Sequence, residues 1–308
     1  MAQSKLAGFK DAGELRFNRV HPVSNAFISC LFVVLGLMAI VPFIFVVIIS
    51  FSSEESIVTN GYSFIPAQWS TYTYEYLWQT RDEIFSCFLT SVTVTILGTL
   101  IGLFLITTMG YTLSRPTFRF RKLYTVLVFI PMLFSGGMVA SYMVMTQLYQ
   151  LKNTLWALIL PLACSTFYVI IVRTFFTTTV PDSIVESAKI DGATQLKIFI
   201  RIVLPISLPA LATIGLFLTF GFWNDWYQAM LYISERSKYP LQYLLVSIEK
   251  SVDFLSRSDE YILTTANNLP SETVRMAIVV ISVLPIACSY PFFQKYFVSG
   301  LTVGAVKG

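Results

Sequence analysis

The sequence predicts an all-α membrane protein, a bundle of six transmembrane helices, and three observations lead there. Of its 308 residues 55% are hydrophobic and only 12% are charged, with a mean hydropathy of +0.69. Soluble domains carry roughly 25% charged residues, so this chain has too few charges to coat a globular surface of its size. Six apolar runs, each long enough to cross a hydrocarbon layer about 30 Å thick, alternate with polar segments. Lys and Arg gather in every second polar segment, which is the asymmetry that orients membrane helices.

Residues 1–23 are polar, with Lys5, Lys10, Arg16 and Arg19 against Asp11 and Glu14. The first apolar run, roughly 24–51, exceeds the about 7–15 residues of a signal-peptide core and lacks a small-residue cleavage site at its end. It is expected to be a first span with a kink at Pro42. Residues 52–84 form an outer loop carrying Glu54, Glu55, Glu75, Asp82 and Glu83 against Arg81. Its Trp69, Tyr72, Tyr74, Tyr76 and Trp78 suit a membrane–water boundary.

A second span, roughly 85–112, contains Thr93, Thr95, Gly98, Thr99 and Gly102, small residues whose helical spacing predicts close helix–helix contact. A short basic loop follows with Arg115, Arg119, Arg121 and Lys122. The third span, roughly 123–149, contains Pro131, Gly136 and Gly137, and the fourth, roughly 154–178, contains Pro161. The Pro131–Gly137 stretch reads either as a broken helix that exposes backbone to a water-filled cavity or as a packing kink filled by a neighbouring span. The fifth span covers roughly 205–233, a longer polar loop roughly 234–272, and the sixth span roughly 273–294, before a tail with Lys295 and Lys307.

Between the fourth and fifth spans lies E-S-A-K-I-D-G-A-T-Q-L-K-I-F-I-R-I-V-L-P, residues 186–205. Glu186, Lys189, Asp191, Lys197 and Arg201 keep it out of the hydrocarbon. Its periodicity predicts two short helices broken at Gly192, with Pro181 in the first turn and Ile184 and Ala188 on one face. Such an elbow is well shaped to be gripped by a partner, although an ordinary connecting loop has the same composition.

Placing the N-terminus in the cytoplasm puts residues 1–23, 112–122, 179–204 and the tail inside, where the Lys/Arg bias belongs. Both termini are then cytoplasmic, and the elbow lies on the side where ATP is available.

Within the six expected spans Asp225 is the sole acidic residue, in a run with Trp223, Asn224, Trp226, Tyr227 and Gln228. An ionisable group at membrane depth is a candidate functional site, and aromatic rings beside amides and a carboxylate suit a sugar-wetted passage. A position about 30 Å along the fifth span also suits a helix end in an aromatic belt. Gly136, Gly137, Trp223, Asn224, Asp225 and Trp226 are therefore the pathway-lining candidates. Cys30, Cys87, Cys164 and Cys288 fall in or beside separate apolar runs and read as packing residues, and His21 has no ligand cluster near it. Neither a metal site nor a nucleotide-binding G-x-x-x-x-G-K-[ST] is present, nor an HExxH or GxSxG, so no catalytic residue is expected. The modest charge of +4 does not indicate nucleic-acid binding.

The spacing Glu186-Ser187-Ala188, three residues, Gly192, nine residues, Ile202, one residue, Leu204-Pro205 closely resembles the EAA signature of ABC-importer permeases, with Ser187 at a position usually occupied by alanine. Further runs are similar to carbohydrate-uptake permeases of the maltose type: Asn224-Asp-Trp226, Pro240-Leu-Gln-Tyr243, Asn268-Leu-Pro270 and the tail from Tyr290 to Gly308. Gly110-Tyr-Thr-Leu-Ser-Arg115, Phe134-Ser-Gly-Gly137 and Asn153-Thr-Leu-Trp-Ala157 are similar to the LplC/YtcP-like subgroup, associated with oligosaccharide uptake.

The resemblance implies a type I importer (MetI-like) fold in the bacterial cytoplasmic membrane, with residues 85–297 as an ABC transmembrane type-1 domain of five helices and 181–204 as its cytoplasmic coupling helix. Glu186, Ser187, Ala188, Asp191, Gly192, Leu204 and Pro205 would carry contact with the ATPase. It implies a heterodimer with a second permease, two ABC ATPases that bind ATP and Mg, and an extracellular solute-binding protein. This chain would hold no cofactor itself. Two other readings remain open from the residues: an ion-coupled secondary transporter that uses Asp225 as proton carrier, and a non-transporting membrane scaffold.

Overall fold

A computed structural model of the chain describes residues 22–257 and 271–305. Asn268-Leu-Pro270 and most of the expected N-terminal segment lie outside the described residues. Among the described residues the regular elements are helices, joined by loops and turns, with one isolated antiparallel bridge between Ser52 and Trp69.

Helix α1 (Pro22–Ser50) is followed by two short helices, α2 (Glu54–Asn60) and α3 (Tyr72–Gln79), in the acidic segment 52–84. Helix α4 (Arg81–Ser114) has 34 residues and is about 50 Å long at a rise of about 1.5 Å per residue. It is the hub of the bundle, because glycines along it let neighbouring helices approach its backbone. A Cβ on Gly98 would come within 2.5 Å of the Phe222 ring, one on Gly102 within 2.9 Å of the Ala163 carbonyl oxygen, and one on Gly110 within 2.8 Å of Val172. The small residues of this span thus serve close helix packing, as expected from their spacing.

Three of the expected spans are broken rather than straight. Helices α5 (Arg121–Leu133) and α6 (Gly137–Met143, prolonged by a π turn, Val144–Leu148) meet at 116°. Helices α7 (Trp156–Ala163) and α8 (Thr166–Thr179) meet at 45°. After α9 (Asp182–Ile190), α10 (Gln195–Ile198) runs through a π turn into α11 (Leu204–Ile206), which meets α12 (Leu208–Trp223) at 80°. Each break has a proline close by: Pro131, Pro161, and the pair Pro205 and Pro209 on either side of Ser207. A proline removes one ladder N–H and crowds the carbonyl four residues earlier, which opens the helix there. With α1, α4 and the last helix, these bent pairs make six crossings if each pair is one span.

The expected fifth span, 205–233, ends as a helix at Trp223 and resumes as α13 (Tyr227–Tyr232). The expected polar loop 234–272 is in part a helix, α14 (Leu241–Arg257). Its Leu241, Leu244, Leu245 and Ile248 follow the i, i+3, i+4, i+7 pattern of one helix face, and Leu241 and Leu244 are buried beside Cys87. The last helix, α15 (Ser271–Ala305), runs through residues 298–305, which sequence assigns to a tail.

The polar segments sort to the two ends of α4. At its N-terminal end Ser86 donates to the Ser237 carbonyl, Ser91 accepts from the Leu241 N–H, and Glu83 pairs with Arg236. On α15, Glu54 caps the N-terminus, its carboxylate accepting from the backbone N–H groups of Glu272 and Thr273 at 3.0 Å each and from the Thr273 hydroxyl at 2.8 Å. At the opposite end of α4, Arg115 meets the start of α9.

Candidate functional site

The charged elbow projects where α4 and α8 end. Pro181 is extended (φ −59°, ψ 142°), so it precedes α9 rather than lying in its first turn. The buried face of α9 is Val185 and Ala188, packed with Ile198 and Val203. Ile184, expected on that face, is 38% exposed, because the helix presents the next residue inward. Glu186, Ser187, Lys189, Asp191 and Gly192 are all exposed.

The elbow closes through a motif that only glycine fits easily. Gly192 has φ +76°, its N–H donates to the Lys189 carbonyl, and the Ala193 N–H reaches back to Ala188 at 2.9 Å. These paired bonds satisfy carbonyls that the end of α9 would leave without partners. The chain then restarts at Thr194, whose hydroxyl accepts from the Lys197 N–H at 3.4 Å. Leu204, half-buried, and the exposed Pro205 form the turn after the π segment Phe199–Val203.

Two residues here were not singled out from sequence. Ile190 is 87% exposed and Leu196 is 66% exposed, on either side of the Gly192 turn. Their signal is phase: Ile190 falls off the Val185–Ala188 face. Exposed apolar groups beside Glu186 and Asp191 give the mixed character of a surface that docks in a protein groove.

The pathway candidates divide. The Gly136–Gly137 pair lies at the 116° bend, both residues exposed, with Gly137 at φ +78° and Ser135 Oγ accepting its N–H. Trp223 departs from its expected place: it is 5% exposed, and its Nε1 donates to the Ser282 carbonyl on α15 at 3.0 Å. It lies inside the bundle because its indole spans the gap between α12 and α15.

Asn224 ends α12, donating its Nδ2 to the Phe220 carbonyl at 3.0 Å and accepting from Gln242 at 3.4 Å. Asp225 lies in a helix break, not within a continuous span, and its carboxylate accepts from the Gln228 N–H at the start of α13. Trp226 is 40% exposed, its ring edge-on to Tyr227. The segments that follow the breaks at 136–137 and 224–226 meet in one layer, where Tyr142 of α6 stacks on Tyr232 of α13. Asn153 closes that layer, its Oδ1 accepting from the Ser234 N–H at 2.6 Å and the Glu235 N–H at 3.3 Å.

A cavity of about 530 Å³ lies between α4 and the start of α12, lined by Thr99, Leu103, Thr107, Phe199, Leu208 and Leu211. Its walls are almost wholly apolar, which suits hydrocarbon and offers few partners to sugar hydroxyls. At the start of α15, burial and then the Glu272 carboxylate push the Tyr62 phenol above its ordinary pKa.

Residues 106–303 match the family model described as binding-protein-dependent transport system inner membrane component. The chain is 41% identical over 273 residues to the polygalacturonan/rhamnogalacturonan transport system permease protein YtcP of Bacillus subtilis, covering 89% of this chain and 94% of that one. It is 38% identical to protein LplC of the same organism, covering 89% and 91% respectively. Among solved structures it is similar to a chain of a bacterial ABC transporter involved in importing the acidic polysaccharide alginate. That match has a TM-score of 0.76 and 28% identity, and covers 91% of this chain and 99% of that one.

Proposed function

The chain belongs to the binding-protein-dependent transport system inner membrane component family, and from that premise we propose that α9 and the Gly192 turn are the coupling element of an ATP-driven sugar importer. The protein is a membrane-embedded ABC permease for carbohydrate import, working with a partner permease, an ATPase and a binding protein. ATP and Mg bind to two ATPase subunits, and a second, related permease completes a heterodimer. Both termini face the cytoplasm, and the binding protein docks outside.

The observation that carries this reading is the elbow itself. A short helix shows Glu186, Ser187, Lys189 and Ile190 to the exterior while Val185 and Ala188 anchor it to the bundle. A load applied to the exposed face is passed to packed helices, because the buried face leaves little slack. When ATP draws the ATPase pair together, α9 moves with it, and the broken spans change their angles at Gly136–Gly137 and Ser207. Gly136, Gly137, Asn224, Asp225 and Trp226 contribute to the passage. The cargo is an oligosaccharide of an acidic polysaccharide, a reading supported by the polygalacturonan/rhamnogalacturonan relative and the importer of the acidic polysaccharide alginate.

The test is cross-linking in inside-out vesicles of the complete transporter. Cysteine at Ser187 or Lys189 should cross-link to the ATPase from the cytoplasmic side, more strongly in one nucleotide state. Labelling of those positions only from outside the cell would overturn both the topology and the coupling role. For the cargo, labelled oligogalacturonides and alginate oligosaccharides should be imported in preference to maltooligosaccharides; the reverse preference would refute that part.

A further inference from the structure

Helix α9 is tied directly by the chain to α8 and, through α10, to α12, whereas the hub of the bundle, α4, is joined to it only through the four intervening helices α5 to α8. A charged side chain spans that gap among the described residues. Arg115 ends α4 and is 7% exposed. Its Nη1 donates to Asp182 Oδ1 at 3.0 Å, at the first residue of α9. Its Nη2 donates to the Phe176 carbonyl at 3.1 Å and lies 3.5 Å from that of Val180, where α8 ends, while Nε donates to Ser114 Oγ at 3.0 Å. The guanidinium also lies over the Tyr111 ring, 5.3 Å from its centroid, and that ring packs on Phe176 and on Phe199 of the elbow.

The fork thus meets the last carbonyls of α8, the first carboxylate of α9 and its own helix end at once. Arginine suits this vertex because its donors are fixed in one plane, whereas a lysine ammonium is a point donor that cannot reach all of these acceptors. The joints beside it are corners, with Val180 and Pro181 extended and Gly192 left-handed. Chain continuity alone would therefore let α9 swing without moving α4.

We propose that Arg115 is the positioning residue that passes the displacement of α9 to α4, and through α4 to the packed bundle. This rests on α9 being the ATPase contact. Through Arg115, the second span moves with the coupling helix rather than after it.

The experiment uses the complete transporter in proteoliposomes with its binding protein and sugar, and measures ATP hydrolysed per sugar imported. Arg115→Gln should raise that ratio about tenfold or more, with hydrolysis retained and import lost. Arg115→Lys, which keeps the charge but not the fork, should fall between it and the unaltered protein. Asp182→Asn keeps an acceptor oxygen but removes the charge from the pair, at a side chain that is 55% exposed, so it should fold normally and raise the ratio severalfold. A purely structural role would lower the amount of complex and scale hydrolysis and import together, leaving the ratio unchanged.

An unchanged ratio in Arg115→Gln and Asp182→Asn overturns the proposal. If Arg115→Gln does not assemble, Asp182→Asn alone decides. Cross-linking of Ser187→Cys to the ATPase is followed in parallel. Its loss in the otherwise unaltered protein would count against the coupling reading of α9, whereas a persistent cross-link with an unchanged ratio counts against Arg115 only.

Discussion

The indole Nε1 of Trp223 donates to the carbonyl oxygen of Ser282 at 3.0 Å, joining the end of α12 to the middle of α15. The aromatic run 223–227 is thereby divided, with Trp223 closing the bundle while Trp226 and Tyr227 stay exposed. The ring of Phe88 meets Trp223 edge-on at 6.1 Å, so α4 shares the same joint.

Trp223→Phe keeps most of that packing and loses the hydrogen bond, so it should cost about 1 kcal/mol. Trp223→Ala should cost about 3–5 kcal/mol through the cavity it leaves. Thermal unfolding of the detergent-solubilised complex measures both. A Trp223→Phe protein as stable as the original would show that the bond to Ser282 contributes nothing.

At Gly192 a Cβ would meet nothing within 4 Å, so a substitution acts through the backbone alone. Holding a non-glycine residue at φ +76° costs about 1–2 kcal/mol. Gly192→Asn should therefore retain more uptake than Gly192→Ala, and Gly192→Val less than either, all at matched expression. Equal uptake by the three would mean that the left-handed turn is not needed.

Gly98 faces the Phe222 ring with no room for a methyl group. Gly98→Ala should destabilise the bundle by about 1–3 kcal/mol, and adding Phe222→Leu should recover part of it. Strict additivity of the two changes in thermal unfolding would contradict direct contact between α4 and α12 at this point.

Glu186 is exposed on α9, so its replacement should spare folding and affect only what touches that face. Glu186→Lys should reduce sugar uptake at least tenfold while the protein inserts in the membrane at normal levels. Unimpaired uptake would remove this carboxylate from the coupling contact.

The elbow was legible in sequence because its signals are local. Charged residues at helical spacing exclude it from hydrocarbon, and a glycine four residues past Ala188 stops the helix. The apolar runs were legible for the same reason, since crossing a bilayer requires about 20 apolar residues in succession. Helix α14 was legible in principle from Leu241, Leu244, Leu245 and Ile248, but its charged face reads as loop when only composition is weighed.

By itself the sequence determined the class of the protein and the position of the polar elbow, which depend on runs of residues close together along the chain. Only the tertiary structure decided that Trp223 points inward to Ser282, 59 residues away, and that Arg115 reaches Asp182, 67 residues away. It also set the angles of the three broken spans. The physical reason is that a proline or glycine permits a break without fixing its direction. That direction, and the partner each side chain finds, follow from which distant helices can approach closely enough to bury them.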